Sequence, residues 1–80
     1  MKARVYVTLK PTVLDPQGQA ILAALASLGH GAVKGVRQGK VFEIAFDGIS
    51  RAEAEKEIEQ IARDVLTNPV IEQFRYELEE

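Results

Sequence analysis

Few side chains in this sequence are of a type that does chemistry, and their spacing argues against most reactions. His30 is the sole histidine and stands between Gly29 and Gly31, with no cysteine anywhere in the chain. A metal ion would need two or three further ligands at regular spacing, and a lone loop histidine is more often incidental than functional. Glu53, Glu55, Glu57 and Glu59 interleave with Arg51, Lys56 and Arg63 opposite an apolar stripe, which is the pattern of a solvated helix face. Catalytic carboxylates need a desolvated pocket to tune their pKa values, and nothing in the pattern supplies one. The glycines at 29, 31, 35 and 39 fit neither G-x-G-x-x-G nor the G-x-x-x-x-G-K-[ST] phosphate loop. No catalytic residue, no cofactor-binding residue and no metal ligand is therefore expected in this chain.

What remains are candidate contact residues. Arg37, Gly39 and Lys40 fall at what reads as a hairpin tip, where the two cations either grip an anionic partner or are simply solvated; both readings stay open. Arg4, Tyr6, Thr8 and Arg75 would share one sheet face with Glu43 and Ala45. RNA-binding sheets carry stacking aromatics on such a face. A single tyrosine among balanced charges suits a protein interface better.

The elements that position these residues follow from periodicity. From Lys2 to Lys10 the chain alternates, with Ala3, Val5, Val7 and Leu9 on one face, and Pro11 ends the strand. Asp15 and Pro16 read as the N-cap and first residue of a helix, with Ile21, Leu25 and Leu28 as its core stripe and Gly29 as its stop. Ala32–Gln38 reads as a weak strand thinned by Gly35. Val41–Phe46 reads as a stronger one, joined to it by a Gln38-Gly39 hairpin. Ser50 and Glu53 form a capping box for a second helix whose stripe is Ala54, Ile58, Ile61, Ala62, Val65 and Leu66, ended by Asn68-Pro69. The last strand runs from Val70 to Leu78 with Phe74, Tyr76 and Leu78 on one face. The order β-α-β-β-α-β predicts an α+β, ferredoxin-like fold: a four-stranded antiparallel sheet with two helices on one face.

At 80 residues the chain is expected to be one domain, residues 1–80, burying only roughly 60% of the surface its unfolded form exposes. So small a domain often gains stability by self-association, and a symmetric oligomer is expected. Ten basic against twelve acidic residues give a net charge of −2, which offers no drive toward nucleic acid or anionic lipid. The longest apolar run, Ala20–Ala26, is far short of the ~20 residues a membrane helix needs, and the N-terminus lacks a signal pattern; a soluble, unexported protein is expected.

The stretches V-L-D-P-Q-G (Val13–Gly18), V-R-Q-G-K (Val36–Lys40) and N-P-V-I-E (Asn68–Glu72), with the closing Y-E-L-E-E, span nearly the whole chain. Their order and spacing resemble the PurS family, the small S subunit of phosphoribosylformylglycinamidine synthase. Of the three, V-L-D-P-Q-G is the most specific. The resemblance implies a cytoplasmic, non-catalytic assembly subunit that acts as a homodimer or dimer of dimers. It would bridge a large synthetase (L) subunit, which holds ATP and magnesium, and a glutaminase (Q) subunit in the fourth step of purine synthesis. An ACT-like small-molecule sensor is the alternative with the same strand order. An acylphosphatase-like enzyme is a further alternative and the easier to reject, because no G-x-V-Q-G-V-x-[FY]-R loop follows the first strand.

Overall fold

A computed structural model describes residues 1–80. The alternation at the N-terminus forms strand β1 (Lys2–Leu9), which becomes the central strand because both its edges are paired. β2 (Gly39–Ala45) lies antiparallel on one side and β3 (Glu72–Glu79) antiparallel on the other, giving the order β2-β1-β3. Val5 sits opposite Phe42 and Tyr76, while Arg4 sits opposite Glu43 and Glu77, so one face is apolar and the other charged. Ala3, Val5 and Val7 are buried. Each fully buried valine or isoleucine contributes on the order of 1.5–3 kcal/mol relative to exposure.

Helix α2 (Arg51–Ile61) covers the apolar face. Its start is fixed locally: the Ser50 hydroxyl accepts from the Glu53 amide at 3.2 Å, and the Glu53 carboxylate accepts from the Ser50 amide at 3.3 Å. Ala54, Ile58 and Ala62 are buried. Phe42, Ile44, Phe46, Leu66, Phe74, Tyr76 and Leu78 pack around the cluster formed by Ile58, Ala62 and the β1 residues. Beyond Ile61 the helix widens into a π-helical turn (Ala62–Leu66), where the Thr67 hydroxyl donates to the Ala62 carbonyl at 2.8 Å. An extra residue in the turn rotates everything after it. Val65, expected on the core stripe, is therefore turned out to solvent, while Leu66 stays against the core.

The four-stranded, ferredoxin-like sheet with both helices on one face does not form. The sheet has three strands, and only the broad α+β class survives. Residues 33–38 join no ladder, and no hairpin reverses the chain at Gln38-Gly39; Gly39 is instead the first residue of β2. The Gln38 backbone amide, which a ladder would use, is taken by the Asp15 carboxylate, and the Arg37 side chain ties the same segment to the Lys10 and Val13 carbonyls. That helix, α1 (Pro16–Ser27), forms as expected behind its Asp15 cap and is followed by Gly29 at φ +95°. Its stripe, however, is not core: Ile21 is 41% and Leu28 74% exposed, and no α1 residue belongs to the core cluster. The molecule is accordingly long, 50 × 26 × 14 Å, with a sheet-and-α2 body and an α1 arm. No helix is long and apolar enough to cross a membrane.

Candidate functional site

Two places carry the polar residues singled out from the sequence. The first is the neck where the chain leaves the body toward α1 and returns. Asp15 is 3% exposed and uses both carboxylate oxygens, accepting from the Gly18 amide at 2.9 Å and from the Gln38 amide at 2.6 Å. These two bonds, the Gln38 bond foremost, hold its carboxyl below the ordinary 3.8 against the opposing effect of burial. Arg37 donates to the Lys10 carbonyl at 3.1 Å and the Val13 carbonyl at 2.9 Å, and the Gln38 amide side chain donates to Gln17. Gly18 fits because any Cβ there would overlap the Val36 carbonyl oxygen. Pro16 at the first helical position lacks the amide that would otherwise go unsatisfied.

Of the residues read as a hairpin tip, none stands free. Arg37 is a strut. Gly39 passes so close to β1 that a Cβ would lie 2.6 Å from the Val7 carbonyl oxygen. Lys40 lies on the helix side of the sheet, 3.5 Å from the Glu72 carboxylate and 5.7 Å from the centre of the Phe42 ring. Gly39 and Lys40, together with Asp15, Gln17 and Gln38, line a shallow cleft of about 180 Å³.

The second place is the open face of the sheet, where the sequence reading holds. Arg4 reaches Glu43 at 3.2 Å and Glu79 at 2.8 Å, which raises its pKa, chiefly through the Glu43 bond. Tyr6 donates to Glu77 at 2.6 Å, and that bond, the main cause, raises its pKa above 10.0. The Arg75 guanidinium stacks 3.9 Å from the centre of the Tyr6 ring, and Thr8 accepts from Gln73 at 3.5 Å. Opposite charges face each other across the strands, so the face is electrically balanced and fit for a wet protein contact. No three His, Asp or Glu side chains converge here as metal ligands do. His30 is exposed beyond α1 and belongs to neither place.

Two features escaped the sequence reading. The α1 stripe, read as core, is surface. Asp15, read only as a helix cap, also bonds across 23 residues to Gln38. A signal was present in Gly18, since a glycine inside the first turn of a helix is unfavourable by propensity and marks a close approach.

Comparison with known proteins gives consistent results. A family-level match to PurS, described as phosphoribosylformylglycinamidine (FGAM) synthase, covers residues 2–80. The chain is 47% identical over 74 residues to the phosphoribosylformylglycinamidine synthase subunit PurS of Archaeoglobus fulgidus, covering 92% of each. Its fold is similar, at a TM-score of 0.88 and 34% identity, to the crystal structure of Methanocaldococcus jannaschii PurS, one of the subunits of formylglycinamide ribonucleotide amidotransferase in the purine biosynthetic pathway. That likeness covers 99% of this chain and 95% of that one. A chain in the structure of PurLQS from Thermotoga maritima is similar at a TM-score of 0.87 and 25% identity, covering 95% of this chain and 93% of that one.

Proposed function

The chain belongs to the PurS family, and on that premise we propose that it is a non-catalytic assembly subunit of phosphoribosylformylglycinamidine synthase that bridges the synthetase (L) and glutaminase (Q) subunits. In this reading the L subunit uses ATP and magnesium to activate the amide of formylglycinamide ribonucleotide, Q releases ammonia from glutamine, and this chain holds the two together. The observation that carries it is the likeness to a chain of the PurLQS assembly. An ACT-like sensor is not favoured, because the family match extends from residue 2 to residue 80.

Residues 1–80 act as one domain in this reading, in the cytoplasm, without a cofactor of their own. The exposed stripe of α1 is covered by a second copy of the chain, giving a homodimer or dimer of dimers, since a body with so few buried residues leaves Ile21, Leu28 and Val33 to be sheltered elsewhere. Lys40 and the open face with Arg4, Tyr6, Thr8 and Arg75 are left for L and Q, with Arg37 and Gly39 holding Lys40 in place.

The test is reconstitution from purified, untagged L and Q. The chain alone should hydrolyse neither glutamine nor ATP, should copurify with both subunits, and should be required for glutamine-dependent but not ammonia-dependent synthesis. Turnover of either substrate by the isolated chain, or a full glutamine-dependent rate without it, would overturn this function.

A further inference from the structure

Residues 10–38 form an excursion from the sheet: a loop, the α1 arm, and a return segment with no ladder of its own. Such a segment has no burial to fix its direction, since α1 lends no side chain to the core. Its direction is set at the neck. There the outgoing strand of the excursion offers the Lys10 and Val13 carbonyls and the Asp15 carboxylate, and the returning strand offers the Arg37 guanidinium and the Gln38 amide. Each group meets its complement, and the close fit of Gly18 against Val36 leaves no slack between the two chain segments. The bonds differ in kind from an ordinary cap. At Ser50, which caps α2, one hydroxyl serves one helix; at Asp15, one oxygen serves the helix and the other fastens the returning chain.

Resting on the assembly reading above, we propose that Asp15 is a positioning residue for assembly: its second carboxylate oxygen, with Arg37 beside it, closes the neck and so fixes the angle at which α1 meets the second copy of the chain, and with it the arrangement of the paired subunits that L and Q bind. The bond to Gln38, not the helix cap, is the part that matters. The likeness to a solved relative extends over 99% of this chain, the α1 segment included.

Capping and closure separate by substitution. Asp15→Ser keeps an oxygen for the Gly18 amide but is one atom too short and one acceptor too few to hold Gln38 as well. Because the sequence has no cysteine, paired spin labels can be placed at Ala23→Cys on α1 and Lys56→Cys on α2, diluted with unlabelled protein. The wild-type neck should give one narrow distance distribution and Asp15→Ser a broad one, with amide protection of the sheet unchanged. Complex formation with L and Q should weaken about tenfold, the equivalent of one net hydrogen bond. Arg37→Met, which spares the cap entirely, should do the same to a smaller extent. The proposal is overturned if Asp15→Ser keeps a narrow distribution, if it assembles like wild type, or if sheet protection falls in step with assembly, which would make the role one of stability alone. Failure of the wild-type chain to bind L and Q would instead remove the assembly reading and leave the distance result to stand on its own.

Discussion

The body and the arm of this molecule are built from similar apolar residues but held by different forces. In the body, Val5, Val7 and Ile58 are fully buried between β1 and α2, and removal of apolar surface from water fixes every neighbour. In the arm, Ile21 and Leu28 remain in water, and hydrogen bonds from Asp15 and Arg37 do the holding. Apolar burial is non-directional and sets what is inside. Hydrogen bonds are directional and set where something points. A subunit that must present a surface at a fixed angle without covering it needs the second kind.

The sharpest way to break the contrast is to attack the body. Ile58→Ala should cost about 2–5 kcal/mol, read as a lowered midpoint in urea melts, because the cavity opens in a core that cannot collapse around it. The same kind of truncation in the arm should behave oppositely. Leu28→Ser should leave the unfolding of a dilute monomer nearly unchanged while abolishing the concentration dependence of Tm, checked by melts and light scattering across a dilution series.

The neck offers an intermediate effect that depends on pH. Asp15 has its folded carboxyl pKa lowered beneath 3.8, so its contribution is fully present above 3.8 and is lost as pH falls through the lower folded value. The Tm gap between wild type and Asp15→Asn should therefore be constant near neutrality and close in acid. A gap unchanged well below pH 3.8 would show that the charge is not involved. The smallest effect belongs to the open face. With Tyr76→Phe to remove the other phenol, ultraviolet titration should find Tyr6 ionising above 10.0, and Glu77→Gln should lower that value. The neutral phenol's contribution is present below 10.0 and lost as pH rises through the folded value.

The sequence was most informative where structure is local. Asp15-Pro16, Ser50 with Glu53, and the alternation of β1 each depend on neighbours a few residues away, and all appear as read. Val65 was misplaced because a π-turn is a one-residue shift that no apolar spacing announces. The fourth strand failed for a different reason. Residues 32–38 contain valines enough for a strand, but strand identity is decided by which hydrogen-bond partner is available, and the Gln38 amide is taken by the Asp15 carboxylate. The open face was legible because a correct β1 alternation carries its outward residues with it. Arg37 was not, since nothing in its sequence neighbourhood points to carbonyls 24 and 27 residues away.

The centre of the sheet is made by the first strand, and its partner on one side is the last. Arg4 finds Glu79, 75 positions further along the chain. A ribosome delivering this chain therefore releases β1 long before β3 can dock against it, while α1, with Ile21 exposed, has already emerged. Pairings of such long sequence separation place the chain toward the slow end of folding rates for its size. They also leave the apolar face of β1 waiting for its last partner, so the interval between synthesis and folding is when this strand is most open to wrong associations.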